Sequence, residues 1–271
     1  MNDGPMAPEV VHGDELCIRD PGGEDRAVID DTEMDHAPPS DPDAHDQMLT
    51  PISDALFDAV SLRRGERVLD IGCGAGATAL QAASNVGSEG RVYAVDLTSE
   101  MLAIATRRVA DASLRNDTLL GADAATLTFP EPVDAATSRF DTMFFDDPVA
   151  AFANIKRSLR PGGRIGLATW RPLEHNAWLV VPGAALLPWI LLPELDGDGP
   201  GMFSQSDPVV FAAQLSAAGF RDVEAREVKV ALRVGSDDDE AVARLADTGV
   251  GRAALDAVPT PQRPEAYAAV R

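Results

Sequence analysis

Arg67-Val68-Leu69-Asp70-Ile71-Gly72-Cys73-Gly74-Ala75-Gly76, running directly into Ala77-Thr78-Ala79-Leu80-Gln81-Ala82-Ala83, is the stretch whose reading decides the fold. Its first half is a short β-branched and aliphatic run, a buried strand that feeds a tight loop. Its second half is a helix, predicted over Ala77 to Val86 and closed by Gly87. Between them Gly72, Gly74 and Gly76 permit positive φ and let a ligand approach the backbone, while the free amides where the helix begins favour a polar or anionic group. In an open sheet this loop lies at the carboxyl ends of the strands, so a nucleotide-like ligand is implied. The spacing is Gly-x-Gly-x-Gly and not the Gly-x-Gly-x-x-Gly that wraps a pyrophosphate, which argues against a dinucleotide. A nicotinamide-dependent reductase would also show a Tyr-x-x-x-Lys pair, and neither Tyr93 nor Tyr267 is followed by such a lysine.

Downstream, the strand Arg91 to Val95 is closed by Asp96, 20 residues beyond Gly76, where a carboxylate can accept hydrogen bonds from both hydroxyls of a ribose. The alternation then repeats as helix Ser99 to Ala112, strand Thr118 to Gly121, strand Val133 to Thr137, helix Pro148 to Leu159 and strand Arg164 to Thr169. Strands alternating with helices of this length predict right-handed crossovers and an α/β fold with a doubly wound, mostly parallel sheet. Upstream, Met48, Leu49, Ile52, Leu56, Phe57 and Val60 recur at three and four, the mark of an amphipathic helix over His45 to Ser61.

The outer parts of the chain differ in character. Residues 1–44 are rich in Asp, Glu, Pro and Gly without a sustained period, and are expected to form a disordered acidic head. Residues 45–235 are expected to form the main domain, with a proline-rich apolar lid over 170–205, a helix from Pro208 to Ala218 and a long strand from Val223 to Val234. Residues 236–271 read as a C-terminal helical segment broken by proline.

Composition narrows the function. A formal charge of -21, from 44 acidic against 23 basic residues, repels phosphate backbones and anionic membrane surfaces, so nucleic acid is not expected as a substrate. The most hydrophobic run, Trp178 to Pro193, is shorter than a membrane span and contains Pro182, Gly183 and Pro188. No positively charged stretch followed by an apolar core stands at the start, so a secretory signal is not expected. Cys17 lies in the polar head and Cys73 in the glycine loop, which suits a reduced cytoplasmic chain. The acids are scattered and no His/Cys spacing matches a metal site, so no metal is expected.

The segments Val68-Leu69-Asp70-Ile71-Gly72-Cys73-Gly74-Ala75-Gly76, Val95-Asp96-Leu97-Thr98-Ser99-Glu100-Met101-Leu102, Gly121-Ala122-Asp123-Ala124 and Leu159-Arg160-Pro161-Gly162-Gly163-Arg164 occur in one order across residues 66 to about 170. In this combination the chain resembles the class I S-adenosylmethionine-dependent methyltransferases, in particular the small-molecule branch similar to the ubiquinone and menaquinone C-methyltransferases. The resemblance implies a Rossmann-like methyltransferase fold, S-adenosylmethionine as cofactor and a small-molecule acceptor. It also implies roles for named residues. The Gly72, Gly74 and Gly76 loop would contact the methionine part, and Asp70 would hold that loop and the ligand's ammonium end. Asp96 would bind the ribose, Leu97 would pack on adenine, and Asp123 with the Ala124 amide would face the adenine exocyclic nitrogen. Val133 to Phe140 would carry the chain past the methyl group and the acceptor. The family usually completes its sheet with a last antiparallel strand, which these residues do not display, so that either the sequence is truncated or the strand is lost; the edge beside Val223 to Val234 would then be uncovered, which leaves a homodimer open.

A sulfonium is already a good leaving group, so methyl transfer asks for in-line alignment, a dry pocket and, for some acceptors, removal of a proton. Of the four histidines, His175 is the one near the expected mouth of the sheet and is the candidate base. Trp170 and Trp178 are candidates for lining the acceptor site, with core packing as the competing role. Asp146 and Asp147 precede Pro148 and read as helix caps. The alternative function is a protein that binds S-adenosylmethionine without transferring methyl, as a cyclase or regulatory partner.

Overall fold

The computed structural model describes residues 38–112, 116–129, 131–191 and 199–271, together with the backbone of 17–19 and 25–28. In chain order the elements are β1 (Cys17–Arg19), β2 (Asp25–Val28), α1 (Pro42–Val60), β3 (Arg67–Ile71), α2 (Ala77–Val86), β4 (Arg91–Asp96), α3 (Ser99–Asp111), β5 (Asp117–Gly121), β6 (Val133–Arg139), α4 (Pro148–Ser158) and β7 (Leu159–Ala168). They continue as α5 (Ala177–Leu186), β8 (Ile190–Leu191), α6 (Pro208–Ala217), α7 (Asp238–Ala246), α8 (Gly249–Ala257) and α9 (Arg263–Val270). The chain divides into two compact units. One is formed by His36–Asn176 and Asp196–Arg233, the other by Met1–Asp35, Ala177–Leu195 and Val234–Arg271.

The first unit holds the expected sheet. Five parallel strands lie in the order β5-β4-β3-β6-β7, so β3 pairs with β4 on one side and with β6 on the other. Strand order reverses between β3 and β6, and the crevice outside the carboxyl ends of that pair is where open α/β sheets take their ligands. Both faces of β3 are covered. Val68 packs with Phe57, Val60, Ala79, Ala82, Val86 and Val92 on the side of α1 and α2, while Leu69 and Ile71 pack with Val95, Phe152, Ile155 and Leu215 on the side of α4 and α6. The strand alternates between two apolar faces, which is why it reads as a continuous apolar run with one polar interruption, Asp70.

Helix α1 begins at Pro42, earlier than its apolar period suggests. Asp41 accepts a hydrogen bond from the Ala44 N–H at 3.0 Å and Pro42 occupies the first helical position, where its missing N–H costs nothing. The helix therefore reaches into the head expected to be disordered. The rest of that head lies for the most part outside the described residues, apart from β1 and β2, which pair antiparallel, β2 also pairing with β8.

The long strand expected over Val223 to Val234 is not formed. These residues carry no ladder to any described strand, and Val228 is exposed. Alternation marks a segment able to be a strand, but a strand exists only when a neighbour supplies the other half of each hydrogen bond, and β6 is the only ladder partner of β7 among the described residues. The lid expected over 170–205 is divided too. Its first residues, through Asn176, belong with the sheet, whereas Ala177 onward forms α5 and β8 of the second unit. There Leu186 and Ile190 share a buried cluster with Ala254, Leu255, Val258 and Ala266, so the C-terminal helices do not stand apart as a separate segment. Among the described residues no helix is long and apolar enough to cross a membrane.

Candidate functional site

The loop after β3 is shaped by three glycines in the left-handed region, Gly72, Gly74 and Gly76. At Gly72 φ is +63°, and a β-carbon there would overlap the side chain of Asp141. At Gly74 φ is +53° and nothing stands within 4 Å of where a side chain would begin, so that face of the loop is open. The Cys73 N–H donates to the Val95 carbonyl at 3.0 Å and the Gly76 N–H to the Cys73 carbonyl at 2.8 Å, which tie the loop to β4 and to itself. Burial pushes the Cys73 thiol well above its ordinary range, so it is an inert packing group. Helix α2 opens at Gly76 with no side-chain cap, leaving its first amides without an intrahelical partner.

Asp70 sits inside the sheet with no exposed surface. Its two oxygens accept from Thr78 Oγ1 at 2.6 Å and Thr137 Oγ1 at 2.9 Å, pinning the start of α2 and strand β6 to the end of β3. Burial raises its pKa to about 6, against the two hydroxyls, which favour the charged form. Asp96, at the end of β4, accepts from the Gly74 N–H at 2.7 Å on one oxygen and from the Thr98 N–H at 2.8 Å on the other. Each oxygen retains a lone pair for a further donor. Beside it Leu97 is 76% exposed, a large apolar side chain held out in the open. Asp123 lies at the end of β5, closing a local turn through the Ala125 N–H at 2.8 Å and the Thr126 hydroxyl. Asn154 holds that turn from α4 by donating to the Ala124 carbonyl at 3.2 Å, and the Ala124 N–H makes no hydrogen bond among the described residues.

Sequence reasoning missed the group that braces this loop from α1. Asp46 accepts from Arg108 at 2.7 Å and from Arg139 at 2.8 Å; Arg108 also donates to the Ala75 carbonyl at 2.9 Å, and Arg139 to Ser53 Oγ at 2.8 Å. Asp46 and Arg108 were invisible because 62 residues separate them and charged positions on helices α1 and α3 resemble ordinary solvated faces. Arg139 and Asp141 fall at the end of β6, in and just beyond the segment expected to pass the methyl group, and only the pairing of β6 with β3 brings them to the loop.

The candidate acceptor residues fall on separate elements. Trp170 stacks on Phe140 at 3.9 Å with an interplanar angle of 3°, joining the chain after β7 to the turn after β6. Trp178 lies on α5, in the other unit. His175 is exposed on a short turn over Leu173–His175, with Glu174 at 3.9 Å. Asp147 caps α4 as expected, accepting from the Ala150 N–H at 2.9 Å.

With this geometry in place, comparison with known proteins is decisive. A methyltransferase domain family matches residues 68–163, from the first central strand to the turn before β7's parallel ladder. Nocamycin O-methyltransferase of Saccharothrix syringae is 30% identical over 216 residues, which cover 72% of this chain and 73% of that protein. This chain belongs to the S-adenosylmethionine-dependent methyltransferase family. Aklanonic acid methyltransferase DauC of Streptomyces sp. (strain C5) is 37% identical over 124 residues, 45% of this chain and 56% of that protein, so this chain aligns with little more than half the length of that relative. Among solved structures the (4+2)-cyclase SpnF shares the fold, at a TM-score of 0.53 with 21% identity over 76% of this chain and 74% of that one. The Rossmann-like methyltransferase fold expected from the sequence is the fold observed.

Proposed function

We propose that this chain transfers a methyl group from S-adenosylmethionine to an oxygen of a small-molecule acceptor by in-line displacement. The observation that carries the reading is the set of groups at the β3–β6 crevice: an uncapped α2 behind an open glycine loop, a strand-end Asp96 with lone pairs to spare, and a leucine held out beside it. When bound, the cofactor supplies a methyl group on a positively charged sulfur that departs as a neutral thioether. The chain's own part is to hold and orient. The α2 amides behind Gly72, Gly74 and Gly76 receive the carboxylate of the methionine part. Asp96 accepts from the ribose hydroxyls, Leu97 covers one face of the adenine, and the Ala124 N–H with Asp123 meets the edge of the base.

The preference for oxygen and for a small organic acceptor rests on the names of the two relatives, an O-methyltransferase and an enzyme acting on aklanonic acid. The stacked Phe140 and Trp170 offer an aromatic wall beside the crevice, suited to a flat acceptor. Alignment supplies most of the rate, and His175 is the candidate for taking a proton where the acceptor must lose one. The test is calorimetric titration with S-adenosylhomocysteine, followed by incubation with S-adenosylmethionine and a panel of phenols, carboxylic acids and amines read by mass spectrometry. Formation of a methylated phenol or acid with stoichiometric S-adenosylhomocysteine is expected. Tight binding with no product from any acceptor would replace this reading by that of a cofactor-binding protein that does not methylate.

A further inference from the structure

Two guanidinium groups share one carboxylate beside the glycine loop. Asp46, near the start of α1, accepts on one oxygen from Arg108 of α3 at 2.7 Å and on the other from Arg139, the last residue of β6, at 2.8 Å. The three side chains are only 15%, 17% and 12% exposed, so water and salt screen them little, unlike a surface pair such as Arg226 with Glu224. Each guanidinium has a second partner. The Arg108 nitrogen that meets Asp46 also donates at 2.9 Å to the Ala75 carbonyl, which takes no backbone hydrogen bond among the described residues. The N–H of that same peptide, from Gly76, donates to the Cys73 carbonyl at 2.8 Å, so this peptide of the loop is fixed at both ends. Arg139 returns to α1 through Ser53 Oγ at 2.8 Å and leads directly into Phe140, whose backbone is left-handed at φ +64° and whose ring stacks on Trp170.

We propose that Asp46 is a positioning residue for methyl transfer, setting the donor loop through Arg108 and the acceptor wall through Arg139; the proposal rests on the function argued above. Stability alone is a weak reason for such a triad. Taking charged groups out of water costs about as much as their attraction returns, and packed apolar side chains of similar volume are often as stable or more so. Apolar side chains cannot fix direction, however, whereas a planar guanidinium donates along set lines, here to a carboxylate and a loop carbonyl at once. In-line transfer tolerates little misplacement, since a shift of about 1 Å can cost about a hundredfold in rate. The donor loop follows β3 and the aromatic wall follows β6, and one carboxylate bonded to both sides holds their spacing. Without the charge of Asp46, Arg108 keeps Asp43 as its ionic partner, an exposed residue in the first turn of α1, and is drawn outward from Ala75.

The test is a double-mutant cycle read in ligand affinity. Asp46→Asn, Arg108→Lys and the double variant are titrated calorimetrically with S-adenosylhomocysteine. Each single change is expected to weaken binding by about five- to tenfold and the double variant by about the same factor, because both changes break one linkage. Arg108→Lys keeps the charge, but an ammonium lacks the fork that spans two acceptors. Asp43→Asn, which removes the exposed partner of the same guanidinium, is expected to change affinity by less than about twofold. Hydrogen exchange read by mass spectrometry locates the loosening: in Asp46→Asn it is expected to quicken at residues 72–78 and 138–141 and not in β4. Unchanged affinity in the single variants, losses that add in the double variant, or a loss in Asp43→Asn as large as that in Asp46→Asn overturns the proposal. Exchange that rises evenly along the sheet marks a pair that only stabilises, and exchange that rises in one segment alone removes the coupling; either overturns it too. Should Asp46→Asn fail to fold, Arg108→Lys and Arg139→Lys carry the same test, with exchange expected to rise at 72–78 in the first and at 138–141 in the second. Failure of the wild type to bind S-adenosylhomocysteine overturns the proposed function as well.

Discussion

Helices α2 and α4 follow neighbouring strands of one parallel sheet, and they begin in opposite ways. Helix α4 is closed: Asp147 accepts from the Ala150 N–H at 2.9 Å and Pro148 fills the first helical position. Helix α2 begins at Gly76, at φ +92°, with no side-chain cap, and α3, next along the sheet, also lacks one at Thr98. In a parallel sheet all these helix openings face the same edge, so capping decides which of them can receive a ligand. Where only stability is at stake the chain uses Asp-Pro. At the opening of α2, where the proposed ligand would meet the amides, it uses glycine and forgoes the cap, which elsewhere is worth about 1 kcal/mol.

Substitutions can break this contrast in order of severity. Gly72→Ala attacks the open end most severely, because the left-handed backbone costs about 1–2 kcal/mol and the overlap with Asp141 adds ~1–3 kcal/mol. Urea unfolding should show the combined loss, and S-adenosylhomocysteine binding should disappear with it. Asp96→Ala should leave a folded protein destabilised by about 1–3 kcal/mol, since the Gly74 and Thr98 amides lose their acceptor. Its affinity for S-adenosylhomocysteine should fall by about a hundredfold, for the loss of two ribose hydrogen bonds to a charged group; undiminished binding would remove the ribose role. At the closed end, Asp147→Ala should cost about 1 kcal/mol of stability with no change in ligand affinity. A weakened ligand there would mean that α4 is coupled to the site and that the contrast is not local. The smallest effect is expected at His175→Asn, less than about tenfold in turnover, because an exposed imidazole without a fixed orienting partner is a poor general base.

Acidity sharpens the comparison from another side. Asp70 and Asp141 both have raised pKa values in the folded protein, to about 6 and about 7. The folded state then binds more protons than the unfolded state between the ordinary aspartate value near 4 and these values, so stability falls as pH rises through that window. Thermal melts from pH 4 to pH 8 should show that decline in the wild type. In Asp141→Asn the decline should end near pH 6, and the variant should be the more stable protein above pH 7. A wild type whose stability rises steadily over the same range would mean that the two carboxylates are paired in solution.

Much of the first unit was legible in the residues. The β3 strand, the α2 helix with its Gly87 stop, the β4 strand to Asp96 and the Asp147 cap all appear where local pattern placed them, because each depends on neighbours within a few positions. The illegible parts depend on distant partners. Val223 to Val234 alternates like a strand and remains unpaired, and the segment after Asn176 looked like a lid over the sheet yet contributes its apolar residues to a cluster with Ala254 and Leu255. The brace from Asp46 to Arg108 and Arg139 escaped for the same reason: an ion pair across 62 or 93 residues leaves no periodic trace.

By itself the sequence determined the kind of sheet, the glycine loop after β3 and the place of Asp96 at the end of β4, since strands, glycine turns and helix openings are governed by short-range sterics and hydrogen bonding. Tertiary structure alone decided which carboxylates are spent and which is left over. Asp70 on β3 is engaged by threonine hydroxyls from α2 and β6, whereas Asp141, just after β6, receives no hydrogen bond to its carboxylate from any described residue.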